Sequence, residues 1–204
     1  MKMNNILNYF DKILPNAKCE LNYNKDYELL IAVMLSAQTT DKKVNEVTKV
    51  LFKKYNSLKK LSEANINDLE DIIKIIGTYH KKAMYIKDIS KGLLNIGYVP
   101  NDRSFLESLN GVGRKTINVV LSVLYNEPYM AVDTHVKRVS IRLGLANKND
   151  DVYKIENKLY KLIPTKNINK AHHQFVLFGR YYCKAINPKC DNCELKKICK
   201  YKNS

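Results

Sequence analysis

The sequence predicts an all-α protein, and three observations support this fold class. Only seven of the 204 residues are glycine and five are proline, so few residues interrupt helices. Apolar side chains recur at intervals of three and four residues along much of the chain, which is the spacing of one helix face. The strict alternation of apolar and polar residues that marks a half-buried strand is scarce.

Two apolar stripes mark helices in the first half of the chain. They comprise Val44, Val47, Val50 and Leu51, and then Leu69, Ile72, Ile73 and Ile76. The pair Thr40-Asp41 precedes the first stripe, where an N-cap belongs. Gly77 follows the second stripe at the position of a C′ glycine. We therefore expect the first helix to begin near residue 41 and the second to run up to Gly77.

Three further helices are predicted in the second half. Ser104 and Glu107 form a capping box for a short helix that runs to Leu109. Asp133 is placed as the N-cap of a helix that carries Val136 and Val139. Another stripe is stopped by Pro164; its members are Val152, Ile155, Leu159, Leu162 and Ile163.

The charge balance points to nucleic acid. The chain carries 35 Lys and Arg against 20 Asp and Glu, a formal net charge of +15, and its pI is about 9.5. Such a surplus attracts polyanions. The longest apolar stretches, Leu29–Leu35 and Val119–Tyr125, fall short of the roughly 18 residues that a membrane span needs. With no signal-peptide pattern at the N-terminus, we expect a protein that stays in the cytoplasm.

A glycine-rich turn is predicted between two helices, in the stretch LNGVGRKT (109–116). Gly111 and Gly113 permit positive φ and the close approach of another backbone. The positive end of the helix that follows, with Arg114 beside it, suits a phosphate. This L-x-G-V-G-x-K-T pattern is typical of a helix-hairpin-helix motif, here about 104–125, which grips the DNA backbone without reading sequence.

Two charged residues are candidates for chemistry. Lys115 stands in the first turn after the hairpin, where the positive helix end disfavours its ammonium form. A neutral amine there could attack a carbonyl-like carbon and form a Schiff base, although a phosphate-binding lysine is the simpler interpretation. Asp133, held ionised as an N-cap, could also stabilise a developing sugar cation.

Four cysteines cluster near the C-terminal end of the chain, with spacing C-x6-C-x2-C-x5-C: Cys183, Cys190, Cys193 and Cys199. Four thiolates so close together favour a metal site over disulfides, and either zinc or an iron–sulfur cluster could use them. Cys19, far away, is interpreted as a core thiol. Lys184, Lys189 and Lys196 in this loop either contact phosphates or offset the charge of the metal site.

Taken together, these patterns resemble the endonuclease III family, bifunctional DNA glycosylases of the helix-hairpin-helix superfamily. The matching stretches follow the family order and span essentially the whole chain; they are LLIAVMLSAQTTD (29–41), LNGVGRKTINVVL (109–121), VDTHVKRV (132–139) and the cysteine loop (183–199). The resemblance implies two helical domains with a DNA-binding cleft between them. One is a barrel of about six helices, residues 21–128. The other joins residues 1–20 to 129–204 and holds a 4Fe–4S cluster on the four cysteines.

The resemblance also implies roles for individual residues. Lys115 matches the catalytic lysine and Asp133 the catalytic aspartate. Gln38 matches a glutamine that enters the duplex where the damaged base has left, and Thr78 matches a residue inserted into the duplex. The implied partner is double-stranded DNA with oxidised or ring-damaged pyrimidines or abasic sites. The implied enzyme is a monomer that works at the bacterial nucleoid and cleaves the strand 3′ to the lesion by β-elimination.

Two departures from the family pattern and two alternatives remain. Thr78 replaces an apolar wedge, and Asn110 replaces a proline of the hairpin, which should loosen that turn slightly. One alternative is a monofunctional adenine glycosylase of the same superfamily, which lacks a lysine at position 115 and carries an additional C-terminal domain. The other is a non-catalytic iron–sulfur protein that binds DNA or senses redox state.

Overall fold

The computed structural model describes residues 2–201, and these form eleven α-helices, two 3-10 helices and no strand. The predicted all-α class is confirmed. The chain divides into two compact units, one made of Met1–Cys19 with Asn126–Ser204 and the other of Glu20–Tyr125. No helix among residues 2–201 is long and apolar enough to cross a membrane.

The unit Glu20–Tyr125 is built around one central helix. Its helices are α2 (Asp26–Leu35), α3 (Asp41–Lys54), α4 (Leu58–Glu63), α5 (Ile66–Ile73), α6 (Tyr79–Leu94), α7 (Arg103–Ser108) and α8 (Arg114–Tyr125). Every residue of α2 from Tyr27 to Leu35 is buried, because a helix that is apolar on all sides is stable only when its neighbours surround it. Helices α3, α6 and α8 supply those neighbours by packing on α2.

The second unit has its own core. Its helices are α1 (Lys2–Ile13), α9 (Thr134–Arg142), α10 (Val152–Leu162) and α11 (Ile168–Tyr181), with 3-10 helices at Thr165–Asn167 and Glu194–Ile198. The ring of Phe10 in α1 packs edge-on against Phe175 of α11, with centroids 5.1 Å apart. Gly179 lets α9 approach α11 closely, because a Cβ at that position would lie 2.8 Å from His135 Cβ.

The local caps show which short-range predictions hold. Thr40 and Asp133 cap α3 and α9 as predicted, each accepting a backbone N–H three residues ahead. The stripe of α10 also ends before Pro164 as predicted.

Two boundaries were predicted wrongly. Helix α5 ends at Ile73 with Lys74 as its C-cap, so Gly77 is not its C′ residue; the left-handed conformation falls on Thr78 instead, with φ of 56°. Helix α7 begins at Arg103 because Asp102 accepts the N–H of Phe105. Asp102 thus caps the helix two residues before Ser104, where the capping box was predicted.

Candidate functional site

The turn between α7 and α8, residues 109–113, is the hairpin turn of the predicted motif. Gly111 has a φ of +82°, as its residue type predicted, whereas Gly113 adopts an ordinary φ. The backbone N–H of Val112 donates to Leu109 O at 3.1 Å, and Ile117 N–H donates to Gly113 O at 3.1 Å. Leu109 and Val112 are buried and both glycines are exposed. The turn is therefore anchored by two apolar side chains and presents its glycine backbone outward.

Helix α6 holds the hairpin turn through three residues of one face, spaced three and four apart. A Cβ on Gly111 would collide with the ring of Tyr85, and a Cβ on Gly92 would collide with the side chain of Leu109. Between these two contacts, Asn110 Nδ2 donates to Asp88 Oδ2 at 3.1 Å. The departure at Asn110 thus adds a polar contact that a proline cannot make, which opposes the loosening expected from the sequence.

Lys115 lies in the first turn of α8 and is exposed, as is Arg114 beside it. The opposite face of α8 is buried through Ile117, Val120 and Leu121, so the core fixes how this helix presents its first turn. The N–H groups of a first helical turn have no acceptor within the helix and carry partial positive charge. The hairpin therefore brings Gly111, Gly113, Arg114 and Lys115 into one exposed, positively charged feature.

Gln38 and Thr78 lie in the same unit and share an unusual backbone conformation. Their φ values are 57° and 56°, in the left-handed region that non-glycine residues seldom occupy. Both side chains are exposed. Thr78 is the N-cap residue of α6 without a side-chain cap, and its hydroxyl donates instead to Gly77 O at 2.7 Å. Such strain persists only where the surrounding structure enforces it, and it is frequent at functional sites.

Asp133 belongs to the other unit and is half-buried at the start of α9. Its Oδ1 accepts the N–H of Val136 at 2.8 Å, which leaves the second carboxylate oxygen available for another partner. Burial lowers the pKa of the neighbouring His135, and the Asp133 charge opposes that shift. His135 Nδ1 lies 3.1 Å from Arg138 Nη2, so this histidine is engaged within its own helix.

The four cysteines of the C-terminal loop line a single cavity together with Leu143 and Pro188. Burial raises the pKa of the Cys183 and Cys193 thiols. Within residues 2–201, no group of three or more His, Cys, Asp or Glu side chains is arranged to hold a metal ion. Four soft sulfur donors on one cavity are nevertheless the ligand type that an iron–sulfur cluster uses, with one cysteine for each iron.

Two arginines of α9 hold the cysteine loop, and neither was predicted from the sequence. Arg138 Nε donates to Cys183 O at 3.0 Å and its Nη2 donates to Gly179 O at 2.7 Å. Arg142 Nη1 donates to Lys184 O at 2.7 Å and lies 3.4 Å from Cys183 Sγ, while its guanidinium stacks on Tyr201. Because the guanidinium donors form a fixed fork, such contacts define the path of the loop.

The lysines predicted to contact DNA lie along this loop and are exposed. Lys184, Lys189 and Lys196 all have solvent-facing side chains, and Lys189 Nζ lies 5.3 Å from the centre of the Tyr182 ring. Nearby acidic groups are few, and Glu194 is engaged by Lys12 at 2.5 Å. The loop therefore presents positive charge to solvent.

Comparison with known proteins places these features in a family. The model of the HhH-GPD superfamily base excision DNA repair proteins matches residues 31–165. Endonuclease III of Rickettsia conorii is 48% identical over 201 residues, covering 98% of this chain and 95% of that protein. Endonuclease III of Bacillus subtilis is 45% identical over 195 residues, covering 93% of this chain and 89% of that protein.

A solved structure extends the likeness to three dimensions. A trapped covalent intermediate of endonuclease III with DNA, in an estranged-adenine complex, superimposes with a TM-score of 0.94 at 44% identity. The match covers 100% of this chain and 97% of that one.

Proposed function

Because this chain belongs to the endonuclease III family of HhH-GPD base excision DNA repair proteins, we propose that it removes oxidised or ring-damaged pyrimidines from double-stranded DNA and cleaves the strand at the abasic site. The observation that carries the proposal is Lys115, an exposed amine at the positive start of α8. Its family relative was trapped in a covalent intermediate with DNA, which requires a nucleophile of this kind.

The reaction follows from the amine of Lys115. Its nitrogen bonds to C1′ of the deoxyribose as the bond from C1′ to the base breaks, and the base leaves with a proton. Opening of the bond from C1′ to the ring oxygen gives a Schiff base. Loss of a C2′ proton then breaks the C3′–O bond and expels the downstream strand with its 5′ phosphate, and water hydrolyses the Schiff base to free the lysine. Asp133, an N-cap carboxylate, stabilises the positive sugar and assists these proton transfers.

Binding precedes this chemistry and relies on two sets of groups. The hairpin turn with Arg114, and the exposed lysines 184, 189 and 196, contact phosphates through charge and backbone N–H groups. Gln38 and Thr78 enter the duplex as the damaged nucleotide is extruded, at a cost of a few kcal/mol that is smallest for poorly stacked lesions. In this proposal the helix-hairpin-helix domain corresponds to the unit Glu20–Tyr125, and the enzyme acts as a monomer at the bacterial nucleoid.

A 4Fe–4S cluster completes the protein, held by Cys183, Cys190, Cys193 and Cys199. The shared cavity of these thiols and the contacts from Arg138 and Arg142 support this assignment. When bound, the cluster supplies iron–sulfur bonds that cross-link a loop too short to be stabilised by burial alone. The loop then presents its lysines to DNA in a fixed arrangement.

Reductive trapping tests the function directly. Borohydride reduces a Schiff base to a stable amine, so the wild-type chain with abasic duplex DNA should give a covalent adduct that Lys115→Gln loses. Lys49→Gln is the matched control, since it makes the same change at an exposed lysine of α3 that lies outside the proposed DNA contacts, and it should retain the adduct. A wild-type chain that excises a base without forming an adduct would instead be a monofunctional glycosylase, and one that does neither would be a binding protein.

A further inference from the structure

A buried lysine in α6 contacts the loop that carries Gln38. Lys82 has only 4% of its surface exposed and lies on the apolar face of α6 together with the buried Ile86, Ile89 and Leu93. A lysine is almost never this buried without partners. Its burial was not predicted from the sequence, where the sign of it is a lysine inside an apolar stripe with helical spacing.

All three donors of the Lys82 ammonium group have acceptors in one short segment, residues 35–39. Lys82 Nζ lies 2.9 Å from Leu35 O, 2.8 Å from Ala37 O and 3.5 Å from Thr39 Oγ1. Leu35 is the last residue of α2, where the helix dipole favours a cation. Burial lowers the pKa of Lys82, and the three oxygen acceptors offset part of the cost of burying the charge.

These contacts surround Gln38 from both sides. The carbonyl of Ala37 and the hydroxyl of Thr39, its two neighbours, contact the same amine. Gln38 lies between them with a φ of 57°, a conformation that needs external restraint. The backbone N–H of Lys82 donates to Thr78 O at 3.1 Å, the ordinary bond of a first helical turn. The side chain of Lys82 therefore connects the loop of Gln38 to the helical turn that begins at Thr78.

We propose that Lys82 is a positioning residue for base extrusion, which holds the loop of Gln38 in register with the turn of Thr78. The inference rests on the proposed function, in which Gln38 and Thr78 enter the duplex together. Lys82 touches neither DNA nor the reacting sugar in this account, and it acts through Gln38. Its removal should let the loop relax out of the left-handed conformation and slow excision from intact duplexes.

The test compares Lys82→Met with Lys87→Met in the full chain. Lys87 is a matched control because it lies on the same helix and its amine also donates to a backbone carbonyl, that of Ala64, in a different loop. Hydrogen exchange of the peptide spanning residues 35–39 should accelerate in Lys82→Met and stay unchanged in Lys87→Met. Exchange at the wild-type rate in Lys82→Met would overturn the proposal.

A double-mutant cycle with Gln38→Ala supplies the functional readout. Lys82→Met alone should slow single-turnover excision of thymine glycol by about tenfold, a loss expected from slight misplacement, but by less than about twofold when Gln38 is already alanine. Equal losses in both backgrounds would show a general structural role and overturn the proposal. Cleavage of preformed abasic sites by the wild-type chain checks the proposed function separately. If the wild-type chain does not cleave them, the proposed function is wrong, whatever the effect of Lys82→Met.

A milder variant guards against loss of folding. Lys82→Gln keeps a hydrogen-bond donor on a shorter side chain and should show the same coupling to Gln38, with a smaller loss of excision rate. If neither variant gives a folded chain by circular dichroism, Lys82 is required for the fold itself and the positioning role is wrong.

Discussion

Asn110 donates a hydrogen bond to Asp88, which places a carboxylate against the turn that we assign to DNA phosphates. A negative charge there opposes phosphate binding, so this contact stabilises the turn at the expense of affinity. The balance between the two effects can be measured.

Asp88→Asn should tighten binding of duplex DNA by about two- to fivefold at low salt, since one repulsive charge is removed while the side chain keeps its shape. Fluorescence anisotropy at two salt concentrations measures this, and the gain should shrink at high salt. Asp71→Asn, an exposed position in α5, removes the same net charge elsewhere. An equal gain in that control would assign the effect to net charge alone.

The two hairpin glycines should respond differently to alanine. Gly111→Ala should lower the free energy of unfolding by about 1–3 kcal/mol, because its φ is +82° and its Cβ would collide with Tyr85. Gly113 has nothing within 4 Å of a Cβ and an ordinary φ, so Gly113→Ala should unfold like the wild type.

The same pair separates folding from binding. Gly113→Ala should weaken DNA binding, because a methyl group would keep a phosphate from the backbone. Denaturant unfolding and anisotropy on the same preparations make the comparison. Unchanged affinity in Gly113→Ala would place the phosphate away from this turn.

Acid should destabilise the unit that contains α11 through His173. Burial lowers the pKa of His173 to about 4, below its ordinary 6.5, so the unfolded chain takes up a proton first as the pH falls. The free energy of unfolding should therefore decrease by on the order of 1–3 kcal/mol as the pH is lowered from 6.5 to 4. Above pH 6.5, His173 should contribute no pH dependence.

Replacement of His173 by Phe isolates this contribution. The variant should show a flatter pH dependence in denaturant unfolding between pH 6.5 and pH 4. An unaltered slope in His173→Phe would assign the acid sensitivity to other groups.

The iron content of the protein should depend on the four loop cysteines and not on Cys19. The purified wild-type chain should be brown and contain about four irons. Cys199→Ala should lose most of the iron and become more susceptible to proteolysis in residues 183–199, because the loop is no longer cross-linked. Cys19→Ala should match the wild type. Stoichiometric zinc in a colourless wild-type protein would contradict the cluster.

How far the sequence predicts this molecule depends on the range of each interaction. The caps of Thr40 and Asp133 and the positive φ of Gly111 were predictable, because each is decided by neighbours along the chain. The start of α7 was predicted wrongly because Asp102 and Ser104 are both suitable N-cap residues, and the helix uses Asp102. The roles of Lys82 and Arg142 were not predictable for another reason: each bonds to a carbonyl more than forty residues away in the sequence.

The family motifs predict more of the functional site than the helical periodicity does. Lys115 alone would read as one phosphate-binding lysine among many, and its proposed role depends on the glycines that precede it and on the cysteines far downstream. The left-handed conformation of Gln38 and Thr78 could not be predicted from residue type, because neither is glycine. At Gln38 a distant residue, Lys82, contacts both of its neighbours.

Helix α6 begins after its N-cap residue Thr78, and Lys82 follows one turn later. Further along the same helix lie the three residues that contact the hairpin turn: Tyr85, Asp88 and Gly92. Its length between these positions is therefore fixed. Inserting a single amino acid after Lys82 would rotate everything downstream by about 100° and swing Tyr85 away from Gly111. Homologous genes should thus tolerate many substitutions along α6 but no change in its residue count.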